Sequence, residues 1–174
     1  LAANPEAKSR APVAGWATPG GEWTQIEAPA GDIFPAAMVA GNTFADATAT
    51  CRVPDRSLVV IARAHARHMW SGQFDDRGQL RFLQPYYHLH GDGDVSGLCA
   101  DREGRIYAAT EAGIQIFDQP GRVNGILRLP TGRTPGRIGW AGEARDQLVL
   151  ETRNGDGAVT WFSRKMNVKG LREN

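Results

Sequence analysis

Two short stretches of this 174-residue chain gather the side chains that do chemistry. In Gly91-Asp92-Gly93-Asp94 two carboxylates alternate with glycines, the composition of a loop that wraps a hard divalent cation in oxygen ligands. The same string also makes a plain turn, because Asp and Gly tolerate the backbone angles that turns need, and that is the commoner use. The four histidines form two close pairs, His65 with His68 and His88 with His90. Residues i and i+2 of a strand share a face, so His88 and His90 are spaced to point one way, as two zinc ligands would. Exposed or hydrogen-bonded histidines are commoner at a strand end, and we expect that here. Tyr86-Tyr87 and five Trp offer flat faces to a sugar or a protein, with packing inside and between sheets as the expected use. No Ser/His/Asp signature, phosphate-cradling Gly loop or nucleotide fingerprint occurs.

The elements that must position these groups are short strands. From Ser96 an apolar run ends in the turn Asp101-Arg102-Glu103-Gly104, and Ile106-Tyr107-Ala108-Ala109-Thr110 leads away from it. A turn follows, then the alternating Ile114-Gln115-Ile116-Phe117, then a turn at Asp118 to Gly121. The pattern repeats. Cys51 and Cys99 fall in register at a spacing of 48, as do Leu58 and Ile106, and Leu148 lies 42 after Ile106. Each copy places an aromatic 11 to 13 residues on: Trp70, Phe117 and Trp161. Short strands joined by Asp/Gly turns at a period of roughly 40–50 residues are the pattern of propeller blades. We therefore expect an all-β, partial or degenerate β-propeller of three clear four-stranded blades plus an irregular N-terminal segment. No stretch has convincing helical periodicity.

Composition bounds the rest. The chain is 41% hydrophobic and 22% charged, a globular balance, and its 21 Gly and 10 Pro fit a turn-rich β protein. A formal net charge of +1 gives no electrostatic case for nucleic acid, and no apolar run approaches the ~20 residues of a membrane-crossing helix. Cys51 and Cys99 occupy equivalent strand positions, where small buried thiols pack well, so we expect thiols rather than a disulfide. The chain opens with Leu1 rather than Met, which we read as a processed, trimmed or partial chain, a removed leader being one of these possibilities.

Along the chain, 1–19 is Ala- and Pro-rich and reads as an extended leader or linker, and 20–174 as propeller blades at about 48–89, 95–130 and 137–169. Residues 22–27 are a possible strand anchored by Trp23 and Ile26, and 32–50 is ambiguous. Closed propellers carry about 4–8 blades. Three blades leave open edges, and an open edge invites pairing with another chain. We expect a partner chain, the same or different, or more of the same polypeptide, to supply the missing arc. A degenerate fourth blade from the leader is the competing possibility.

Residues 84–90, Gln-Pro-Tyr-Tyr-His-Leu-His, and 113–127, Gly-Ile-Gln-Ile-Phe-Asp-Gln-Pro-Gly-Arg-Val-Asn-Gly-Ile-Leu, resemble the C-terminal part of the gluconolactonase/regucalcin (senescence-marker-protein) family of six-bladed propellers. Bacterial gluconolactonase-like domains are the nearest in kind. Lys165-Met166-Asn167-Val168-Lys169-Gly170 is similar to the family's closing strand. The resemblance implies hydrolysis of sugar lactones by a divalent cation, Ca²⁺ or Zn²⁺, held by Glu, Asn and Asp at one mouth of the channel. It implies a periplasmic or secreted location.

Residue by residue, that site does not carry over. Ser96 stands where the family has its metal-binding and acid/base Asp, and Thr48 where it has a ligating Asn. Glu27-Ala28-Pro29 is a poor echo of its N-terminal ligating Glu. A hydroxyl does not serve as charged ligand and general base at once. Asp94, two residues earlier, is a substitute for Ser96, and Asp92 with Asp94 the candidate metal pair. Thr48, Asp94 and Ser96 are thus the candidate channel-mouth residues. We expect a non-catalytic module acting in binding or assembly, with no cofactor. A metal-dependent lactone hydrolase and a carbohydrate-binding module are the alternatives.

Overall fold

The computed structural model describes residues 22–29, 33, 46–53, 58–91 and 93–171. Among them are twelve strands and no helix, so no helix there is long and apolar enough to cross a membrane. β2 (Ala47–Arg52), β3 (Leu58–Arg63), β4 (His68–Phe74) and β5 (Leu80–His88) pair in that order as one antiparallel sheet, blade I. β6 (Gly97–Ala100), β7 (Ile106–Thr110), β8 (Gly113–Phe117) and β9 (Val123–Leu127) form blade II. β10 (Thr134–Ala141), β11 (Gln147–Arg153) and β12 (Val159–Lys165) form three strands of blade III. Its fourth is β1 (Thr24–Ile26), which pairs antiparallel with β12. The chain is all-β, with three four-stranded blades.

Each blade is graded from inside to outside. Second strands such as β3 (Leu-Val-Val-Ile-Ala) and β7 (Ile-Tyr-Ala-Ala-Thr) are apolar at both parities, the pattern of a strand covered on both faces. The fourth strand β5 is mostly exposed and carries Pro85, tolerated because an edge strand needs no donor on its outer side.

One turn recurs at one end of the sheets. Asp75, Asp101 and Asp118 each donate their N–H to the carbonyl four residues on and accept the N–H of Gly78, Gly104 and Gly121. Those glycines have φ of 71°, 79° and 88°, where a side chain would be strained. Each carboxylate then accepts the N–H four residues on and an arginine Nε: Arg81 at 3.0 Å, Arg105 at 2.6 Å, Arg122 at 2.9 Å. Only Asp101 is fully buried, and it also takes the Tyr107 hydroxyl at 3.1 Å.

The core is two inter-blade layers. Val60, Met69 and Tyr87 of blade I meet Leu98, Ile106 and Phe117 of blade II, with Tyr87 edge-on to Phe117 at 5.5 Å. On the other side of blade II, Tyr107, Ile114 and Ile116 meet Ile138, Trp140 and Leu148, with Tyr107 edge-on to Trp140 at 5.2 Å. Each such side chain contributes about 1.5–3 kcal/mol by leaving water. Cys51 lies in the first layer and Cys99 in the second, so they sit on opposite sides of blade II as buried thiols.

The tail differs from the expected closing strand. After Lys165 the backbone turns under blades III and II, donating from Met166 to Asp146, from Gly170 to Arg145 and from Leu171 to Ala100, while Arg102 donates back to Lys169. Gly170 lies flat on the Trp140 side chain, where a Cβ would overlap it. The edge of β12 is thereby left for β1. Trp23, beside β1, donates its indole N–H to the Arg128 carbonyl at 2.7 Å. Residues 1–19 lie outside the described residues, as does most of 32–45.

Candidate functional site at the channel mouth

Antiparallel order puts three kinds of connection at one end of the arc: β3 to β4, β7 to β8, and each blade's last strand to the next blade's first. Residues 64–67, 111–112 and 89–96 meet there around a cleft of about 470 Å³, lined by His65, Arg67, Asp94, Ser96, Glu111 and Thr134 among others. The long connection is tied down from both ends. Leu89 and Val95 are buried in the layer between blades I and II. Between them, Gln115, itself 1% exposed, accepts the His90 N–H at 2.8 Å and donates to the His90 carbonyl at 2.9 Å. A buried, fully paired amide rigidifies the loop it holds.

Asp94 and Ser96 both border the cleft, but they have different partners. Asp94 Oδ1 accepts the backbone N–H of His65 at 2.6 Å and lies 3.7 Å from its imidazole Nδ1, joining the two blade connections. The Ser96 hydroxyl is 3.1 Å from the carbonyl oxygens of Ala109 and Gly136, on blades II and III. It has one proton and donates to one of them at a time. At the next residue, Gly97, those blades approach closely: a Cβ there would come 2.8 Å from the Ile138 nitrogen. Ser96 therefore works as a pin between inner strands.

Thr48 is exposed at a bulge of β2, between the pairs Ala47–Arg63 and Ala49–Ala62, and does not line the cleft. Beside it Asp46 is bonded to Arg63, which holds its carboxyl below the usual carboxylate range. Asp92 lies outside the described residues. His65 lines the cleft, whereas His68 and His88 pair across β4 and β5, with Nε2 and Nδ1 3.0 Å apart. His90 is exposed next to the loop, so His88 and His90 have separate partners. Tyr87 is buried and Tyr86 donates to the Gln119 carbonyl at 3.0 Å, around a second cavity of about 230 Å³ between blades I and II. The tyrosines pack blades, and none of the described tryptophans lines the mouth.

Sequence reasoning missed Arg67 and Glu111. Both occupy short connections with no motif of their own. Their signal is topological: a turn after a second strand belongs at the same end as the inter-blade connections. As a donor set for a divalent cation, the described mouth is poor. Among the described residues no three of His, Cys, Asp and Glu are placed to hold one metal ion, and the key position supplies a hydroxyl already aimed at carbonyl oxygens. The described residues do not fit the family's metal.

No family model matches the sequence, and no curated protein is similar to it. Solved structures do match. The gluconolactonase of Xanthomonas campestris superposes on 69% of this chain with a TM-score of 0.58 at 20% identity. The calcium-binding protein regucalcin of Agrobacterium tumefaciens superposes on 75% with a TM-score of 0.64 at 19% identity. The fold is that of the gluconolactonase/regucalcin propellers. A luciferin-regenerating enzyme shares it too, with a TM-score of 0.58 at 15% identity. The chain spans 38%, 49% and 48% of the lengths of these three. At such identities the gluconolactonase-like likeness is one of fold alone.

Proposed function

We propose that this chain is a non-catalytic propeller module that acts in binding or assembly of a larger complex. The observation that carries the reading is the use of Ser96. At the position where the resemblance puts a carboxylate, the side chain joins two blades through backbone carbonyls. The open arc supports the same reading. Among the described residues β2 packs on β6 and β6 on β10, so the blades follow one another in an arc. Among the described residues, the face of blade I away from blade II is covered by that blade's own Trp70, Phe74, Leu80 and Leu83.

A lactone hydrolase is the second reading, favoured by Asp94 and Glu111 at the mouth and by the gluconolactonase fold. One sample separates the two. The purified protein is assayed for bound divalent ions and for hydrolysis of a sugar lactone with Ca²⁺ or Zn²⁺ added. Assembly predicts no stoichiometric ion and no hydrolysis above the uncatalysed rate; metal-dependent turnover would sink it.

A further inference from the structure

We propose that Asn154 is a site of spontaneous modification: its amide is lost to the backbone nitrogen of Gly155, and the turn joining β11 to β12 gains a carboxylate. The inference stands apart from the assembly reading, and neither depends on the other.

The chain holds two Asn-Gly pairs, Asn124-Gly125 and Asn154-Gly155. Asn is a labile residue, and a following glycine leaves it most open to loss of ammonia, because no side chain crowds the ring that must close. Whether that ring closes in a folded chain depends on how the amide and the backbone beside it are held.

The turn at 154–158 is built like the Asp turns, with the side-chain roles exchanged. Asn154 donates its N–H to the Ala158 carbonyl at 3.2 Å and accepts the Gly157 N–H at 2.9 Å, as Asp75, Asp101 and Asp118 do with their partners. In those turns the first residue's carboxylate also accepts the N–H four residues on, at 2.8 to 3.0 Å. Here that N–H, from Ala158, goes to Asp156 Oδ1 at 2.9 Å. Asp156 has taken over the task. Asn154 Oδ1 is left buried, with no partner among the described residues. A buried acceptor without a donor is a standing cost, and no hydrogen bond at that oxygen has to break before the amide turns toward Gly155. Residues 155–159 are exposed, and among the described residues the Gly155 N–H has no hydrogen-bond partner.

Asn124 is the contrast within the same chain. Its side chain is hydrogen-bonded to the Asp118 carboxylate, and Gly125 is paired with Ile116 in the ladder of β8 and β9. Closing a ring there means breaking that bond and pulling the backbone out of its ladder.

The step is a hydrolysis overall, with water as the second reactant. Gly155 N bonds to Asn154 Cγ, the Cγ–Nδ2 bond breaks, and ammonia leaves with the proton that Gly155 gives up. Water then opens the cyclic imide. Opening between Cγ and nitrogen leaves aspartate; opening between the main-chain carbonyl and nitrogen leaves isoaspartate, with the backbone routed through the side chain. Either product adds one negative charge and cancels the formal net charge of +1. The turn follows the second strand of blade III, as 64–67 and 111–112 follow those of blades I and II, so the charge arrives at the mouth end of the arc.

The test is peptide mapping of the full chain kept folded at mildly alkaline pH and body temperature, beside a sample in urea. In the folded chain the Asn154 peptide takes the mass of an NH2-to-OH exchange and the Asn124 peptide does not; in urea both do. On anion exchange the intact protein moves to the position of the Asn154→Asp variant. Gly155→Ala, whose Cβ meets nothing within 4 Å, keeps its far-ultraviolet spectrum and retains the Asn154 amide over the same time. An Asn154 amide that survives in the folded chain overturns the proposal, as does Asn124 reacting there as fast as Asn154. So does ammonia lost from Gly155→Ala at the wild-type rate, since ring closure would then not be the route.

Discussion

Ser96 and Asp101 are five residues apart and show what a buried oxygen is for in this chain. Replacing Ser96 by Ala removes one shared hydrogen bond and should cost about 1 kcal/mol in urea unfolding. Ser96→Asp points a carboxylate at two carbonyl oxygens, so we expect a larger loss, about 2–3 kcal/mol, and still no bound ion on metal analysis. Asp101→Ala should cost more, about 3–5 kcal/mol, since it strands the Arg105 guanidinium, only 8% exposed, without its closest carboxylate. Titration follows the same contacts. Burial, then the charge of Asp101, pushes the Tyr107 phenol above its ordinary 10.0. A raised group stabilises fully below its unfolded value, and that stability is lost as pH rises beyond it. Wild type should therefore lose stability from about pH 10 upward more steeply than Tyr107→Phe, followed by denaturation midpoints. At the acid end the Gln79 N–H and Arg81 lower Asp75, and Arg122 lowers Asp118 against the opposing effect of burial. Their contribution is present above 3.8 and fades as pH falls below it.

At the scale of the element, β1 is a three-residue strand with a large task. It covers the edge of a seven-residue strand, β12, that would otherwise offer unpaired groups to any passing chain. A chain lacking residues 1–29 should show rising light scattering at concentrations where the intact chain is clear. The sequence carried the strand itself, through Trp23 and Ile26, but not its address: a three-residue segment has no register of its own, and its partner lies at the far end of the chain. The blades read more easily, because Asp-x-x-Gly turns and the aromatic repeat are local signals. The mouth was half legible. Asp94 and Ser96 stood in a motif-like string, and both do line the cleft, while Thr48 was displaced by a bulge that no composition announces. Glu111 and Arg67 were invisible because only the return path of the chain brings them there.

For the whole molecule, the third blade draws together strands from opposite ends of the described chain, β1 and β12. Blade III adds a consequence in time. Its outermost strand ends at Ile26 and its partner begins at Val159, 133 residues later. At about 5–20 residues per second, β1 leaves the ribosome roughly 7–27 seconds before β12 exists. During that wait blades I and II have all their strands, yet β1 has no partner. Where ribosomes crowd on one message, the nearest finished β12 belongs to the chain ahead, and a strand lent across that gap would couple two copies before either was released.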